Sequence, residues 1–126
     1  IVFSACSNST VNNEVTIEKV ISDFFDFYSQ GVYEEMHKLT TEEFSEIFLT
    51  DLENGIFGMK NAELLESEYL PDYLNSDEND IFVFRCTLNM IPAEVSVYSS
   101  TETEATFLLE VKNINNTWKI SNYFNG

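Results

Sequence analysis

The chain has 126 residues, with 22 acids against 6 bases and a net charge of −16. A surface this negative repels phosphate backbones and anionic lipid head groups, which argues against nucleic-acid binding and against direct contact with a charged membrane. At 44% hydrophobic and 14% aromatic residues, the body is too apolar to be disordered and has the size of one core.

The first ten residues, Ile1-Val2-Phe3-Ser4-Ala5-Cys6-Ser7-Asn8-Ser9-Thr10, run from an apolar segment through two small residues to a Cys. That order matches the tail of a bacterial lipoprotein signal peptide, in which the Cys becomes the new N-terminus and carries lipid. Residues 1–15 then read as signal remnant, lipidation site at Cys6 and flexible tether, since residues 7–14 are polar and rich in Asn and Ser. This implies an extracytoplasmic location on a bacterial cell membrane, held there only through the lipid. The competing reading pairs Cys6 with Cys86; if Cys6 is lipidated, Cys86 has no partner. Nothing later in the sequence resembles a span of about 20 apolar residues.

Residues 16–126 read as a single α+β domain. Ile17, Val20, Ile21, Phe24 and Tyr28 recur at helical spacing, with Phe25 and Phe27 on their flanks and Glu18, Ser22, Asp23 and Asp26 opposite. Thr16 is the expected N-cap and Gly31 the expected stop. A short second helix over 32–39 carries Tyr33, Met36 and Leu39. Thr40 or Thr41 then caps a third, with Glu42 and Glu43 in its first turn and Phe44, Ile47 and Phe48 as buried positions. Residues 50–60, with Gly55 and Gly58, read as a loop. Residues 61–73 are ambiguous: Ala62, Leu65 and Tyr69 fit a helix stripe that Pro71 would limit. A polar break at 75–80 precedes a change to period two.

From Ile81 the sequence predicts a strand with Phe82, Phe84, Cys86, Leu88 and Met90 on one face and Ile81, Val83, Arg85, Thr87 and Asn89 on the other. Pro92 leads into a β-rich stretch at 94–99. Residues 103–112 alternate again, with Ala105, Phe107, Leu109 and Val111 on the apolar side. Asn115-Asn116 signals a tight turn, and 118–124 complete a hairpin. The expected layout is α+β, with N-terminal helices packed on one face of a curved antiparallel sheet.

The run Phe24-Phe25-Asp26-Phe27-Tyr28-Ser29-Gln30-Gly31-Val32-Tyr33-Glu34-Glu35-Met36-His37-Lys38-Leu39-Thr40 and the ending Thr117-Trp118-Lys119-Ile120-Ser121 resemble the nuclear-transport-factor-2-like superfamily. The resemblance implies a cystatin-like cone, a curved sheet wrapped over a long first helix. It also implies a choice between non-catalytic binding or dimerisation modules, including secreted bacterial lipoproteins, and small isomerases, dehydratases or epoxide hydrolases. One departure is Gly31-Val32-Tyr33, where the superfamily commonly has Gly-Asp-aromatic. No catalytic residue of its enzymes carries over.

The residues themselves offer few chemical constellations. His37 is the only histidine and lies among Glu34, Glu35 and Lys38, as a solvated side chain would. One His and one apolar-face Cys do not make a zinc site. Asp23 and Asp26 face water. The acidic run Asp72, Asn75, Asp77, Asn79 and Asp80 lacks the spacing of a calcium loop. If the cone is hollow, Tyr28, Cys86, Phe107 and Trp118 would line it, with Asn122 as a polar contact. If it is filled, the outer sheet face, with Ile81, Val83, Tyr98, Leu108 and Tyr123, would meet a partner or a second copy in a homodimer, unless residues 50–75 cover it. The expected function is a lipid-anchored binding domain without catalysis or cofactor, taking a small ligand or a partner protein. The alternative is a cone-fold isomerase or hydro-lyase acting on a hydrophobic small molecule through Tyr28 and a buried acid.

Overall fold

A computed structural model describes residues 5–52, 55–57, 59–71, 73, 81–92 and 103–125, with side chains described from Asn13 to Phe124 except at Pro92. Residues 1–4, the acidic run at 72 and 75–80, the β-rich stretch at 94–99 with Tyr98, and Gly58 lie outside them. Three helices precede four strands: α1 Ala5–Gln30, α2 Tyr33–Lys38, α3 Glu42–Phe48, β1 Met59–Tyr69, β2 Ile81–Pro92, β3 Glu104–Ile114 and β4 Thr117–Asn125. The strands form one open antiparallel sheet in the order β1-β2-β3-β4, so the class is α+β as expected.

α1 is 26 residues long, about 39 Å at the α-helical rise. It begins at Ala5, well before the expected cap at Thr16, so the segment read as a flexible tether is helical. The physical reason is propagation: Ile17, Ile21, Phe24, Phe25 and Tyr28 fix the helix by burial, and no Gly or Pro stops it upstream. Its far end is a Schellman turn. Gly31 sits at φ +75°, Val32 N–H donates to the Phe27 carbonyl at 2.9 Å, and Gly31 N–H donates to that of Tyr28 at 3.2 Å. Thr41 caps α3, its hydroxyl accepting from Phe44 N–H at 3.2 Å.

The largest difference from the expected elements is β1, which occupies the ambiguous stretch and reaches back to Met59 in the expected loop. Its pairing with β2 shifts between Met59 and Asn61 and again between Leu64 and Glu66. Two bulges therefore space the sheet-facing residues Met59, Ala62, Leu64, Ser67 and Tyr69 unevenly, and that spacing imitates a helix. Leu65 falls on the second bulge and is exposed.

β4 holds a third bulge. Its register with β3 slips between Glu110 and Val111, and Ser121 fills the slip, donating to the Glu110 carboxylate at 2.8 Å. Beyond it the faces exchange, as a one-residue slip requires. Tyr123 turns to the inner face opposite Leu109, and Asn122 turns outward opposite Glu110. Asn115 and Asn116, at φ +54° and +67°, form the two-residue β3–β4 turn. Beyond β4, the linker between α2 and α3 closes that edge: Thr41 N–H donates to the Ile120 carbonyl and Ile120 N–H to that of Leu39. At the other side of the sheet, no strand among the described residues pairs with the outer edge of β1.

A tight turn precedes β1, where Ile56 and Met59 exchange backbone hydrogen bonds of 2.8 and 2.9 Å. Gly55 enters it at φ +115°, and a Cβ there would overlap the Met59 carbonyl oxygen. Gly55→Ala is therefore expected to lower stability by roughly 2 kcal/mol or more, read as a shift in urea midpoint. An unchanged midpoint would show that this turn is not formed as described.

Candidate functional site

The space between α1 and the sheet is where a cone-fold pocket would lie, and aromatic rings occupy it. Phe24 packs edge-on against Phe25 at 5.1 Å and Phe44 at 6.2 Å, while Phe25 and Phe57 reach Phe107 at 6.1 and 5.1 Å. At the other end Phe82 meets Trp118 at 5.1 Å, and Tyr69 stacks on Phe82 at 5.0 Å. Four of the expected wall residues, Tyr28, Cys86, Phe107 and Trp118, are core side chains packed among these rings. Asn122, expected as their polar contact, is on the opposite face because of the β4 bulge.

Two of these residues carry ionisable groups, and their surroundings hold both neutral. The Tyr28 hydroxyl donates to the Met59 carbonyl at 2.9 Å and the Lys60 carbonyl at 3.0 Å, tying α1 to the first bulge of β1. Burial pushes its pKa up to about 12, with Tyr33 nearby adding to the rise. The Cys86 thiol is free, lies wholly inside, and is likewise pushed up to about 12 by burial. A thiol in that state is inert packing rather than a nucleophile. His37 is exposed, with Nδ1 3.1 Å from the Ser45 hydroxyl. Asp23 pairs with Lys19 at 2.8 Å on the solvent side of α1. Among the described residues no group of three or more His, Cys, Asp or Glu converges as metal ligands would. No described helix is long and apolar enough to cross a membrane.

The expected outer-face interface is also rearranged. Tyr123 has moved to the inner side. Val83 and Leu108 stay on the outer side but are buried, at 3% and 5% exposure, and Ile81 is half-buried. Tyr73, from the connection after β1, lies 6.3 Å from Phe124 on that face, so part of the β1–β2 connection crosses it. Cys6 stands in the first turn of α1, with its side chain outside the described set.

What remains open is the rim. One shallow cleft of about 290 Å³ is lined by Asp26 and Ser29 of α1, Asn61 and Glu63 of β1, and Asn89 and Ile91 of β2, among others. A second, of about 390 Å³, lies between Glu42 and Glu43 of α3 and Lys112 and Lys119 of the β3–β4 hairpin. A further feature is an aromatic rim that the sequence pattern did not single out. Phe57 stacks face to face on Tyr123, with ring centroids 4.0 Å apart and planes 10° off parallel, and Phe48 packs edge-on against both at 5.6 Å. All three are half-buried, over fully buried Phe44 and Phe107. Phe57 is held at φ +55°, a left-handed conformation that costs a bulky residue about 1–2 kcal/mol. The sequence signal was the bulky Phe57 itself, at a position where Asn would carry less strain.

No family model matches the chain, and no curated protein or solved structure matches it.

The neutral interior sets a pH dependence. Both folded-state pKa values lie above the ordinary 10.0 of Tyr and 9.0 of Cys, so the unfolded chain releases these protons first as pH rises. Stability is expected to be full below about pH 9 and to fall from there towards pH 12, measured by denaturation at fixed ionic strength. Cys86→Ala should flatten the first part of that fall. Tyr28→Phe should flatten the later part and cost about 1 kcal/mol at neutral pH through the lost hydrogen bonds. A flat profile in the wild type would place these groups in water.

Proposed function

We propose that the chain is the body of an extracytoplasmic bacterial lipoprotein, anchored through lipid on Cys6, and that it acts as a non-catalytic binding module of the nuclear-transport-factor-2-like kind. The anchor is supported by the apolar-small-small-Cys order of residues 1–6. The fold relation is supported by a long first helix ended by the Gly31 turn, two short helices after it, and an antiparallel sheet packed on α1.

One observation supports the non-catalytic reading. The inner space that would bind substrate is filled by Phe, Tyr and Trp rings, and the ionisable groups buried deepest in it, Tyr28 and Cys86, are kept protonated through the physiological range. General acid–base chemistry needs a group whose pKa lies near the working pH and which reaches the substrate. Neither residue meets either condition. This favours recognition at the exterior, where a charge of −16 would keep the body off anionic head groups and attract basic partners.

The test of the anchor is fractionation. With a complete leader upstream, the wild type is expected in the membrane fraction and Cys6→Ala in the soluble fraction. Equal membrane retention of the two would remove the lipoprotein reading.

A further inference from the structure

We infer that Ile47, Phe48, Phe57 and Tyr123 form a docking site for a partner-protein segment that combines an apolar anchor with Lys or Arg. The inference deepens the proposed binding function and does not depend on the lipid anchor.

Three observations meet at this rim. The first is an uncovered stripe. Phe44, Ile47 and Phe48 stand at i, i+3 and i+4 on α3, but coverage falls away along them: Phe44 is buried, Phe48 is half-buried and Ile47 is 67% exposed. The apolar face of α3 therefore extends past what the body covers. Second, the turn beside it sacrifices backbone comfort to hold a ring. Phe57 keeps a left-handed φ of +55° while its ring lies flat on Tyr123, and residues that break a local rule at a surface mark places where function outweighs stability. Third, the charge beside the rim is predominantly acidic. Glu42, Glu43 and Glu46 stand on α3 with Ile47 and Phe48, and Lys112 and Lys119 answer them only across the neighbouring cleft. Glu42, Glu43 and Glu46 are exposed and form no ion pair among the described residues.

Together these give a small aromatic and aliphatic anchor surface with an acidic surround. Aromatic faces bind cations as well as apolar groups, so a Lys or Arg stem suits the Phe57–Tyr123 stack and the carboxylates alike. A second copy of this chain is disfavoured as occupant, because the same acids would face each other across the junction. An anionic lipid surface is disfavoured for the same reason.

The probe is a synthetic amphipathic peptide of Leu and Lys, titrated into the full chain, with a Leu and Glu peptide of the same pattern as control. The expected result is saturable binding of the Leu/Lys peptide, with amide shifts concentrated at 44–48, 55–57 and 120–124, and none of the control. Ile47→Ser should weaken binding about tenfold or more, with Tm within a few degrees of wild type because Ile47 is a surface residue. Phe57→Asn, which suits the turn backbone, should also lose affinity. Unchanged affinity in Ile47→Ser, or shifts spread over the acidic surface, would overturn this site while leaving the general binding reading in place. Equal binding of the Leu/Glu peptide would overturn the basic partner. An Ile47-dependent dimer in ultracentrifugation would overturn it in favour of self-association. Fractionation of Cys6→Ala is independent of every one of these outcomes.

Discussion

Phe25 meets Phe107 at 6.1 Å and Phe24 meets Phe44 at 6.2 Å, so a single turn of α1 joins the inner sheet face to the third helix. Burying rings of this size contributes roughly 2–3 kcal/mol each, and the directions they take up leave little freedom elsewhere. α3 must cross near β4 to cover Phe44, and the linker before it is drawn in far enough to bond to Ile120. The turn at 56–59 must project Phe57 over Phe107. Polar groups inside this packing are served locally: the Tyr28 hydroxyl finds its acceptors on the β1 bulge, and no described buried side-chain nitrogen or oxygen is left without a partner.

A filled interior changes where chemistry can occur. In a hollow α+β cone the sheet's inner face offers convergent groups to a ligand. Here that face is committed to cohesion, and its thiol and phenol are neutral at physiological pH because of it. Peripheral features among the described residues include two shallow clefts and the half-buried stack of Phe57 on Tyr123.

The parts of the fold legible in the sequence are those governed by short-range rules. The faces of β2 followed from strict alternation, with Phe84, Cys86 and Leu88 all buried. Gly31 and Thr41 ended and started helices as their chemistry dictates. The Asn115-Asn116 turn obeyed its residue preferences. Bulges broke the rest. Two of them disguised β1 as a helix, and one exchanged Asn122 with Tyr123, which removed one residue from each of the expected surfaces. The start of α1 is hidden in the sequence because polar composition reads as a tether, although residues 5–16 hold no Gly or Pro to forbid propagation. Ile47 has the spacing with Phe44 of a core residue; whether a matching surface exists to cover it depends on elements far away in the chain. Whether the interior is hollow is a question of the same kind, since it is decided by how rings from α1, α3 and all four strands fit together.

The two edges of the sheet are treated differently, and this has a consequence for colloidal behaviour. β4 is closed at Ile120 by the α2–α3 linker, whereas the outer edge of β1 is guarded by side chains: Glu63, Glu66 and Glu68 are exposed along it, and bulges interrupt its regularity. Two such edges brought together would set carboxylates against carboxylates. That guard is electrostatic, so dissolved ions screen it, and the outer edge of an 11-residue strand then faces its neighbours with little to hold them off. Colloidal behaviour is thus tied to ionic strength: a protein well dispersed in dilute buffer is expected to grow by edge pairing in concentrated salt.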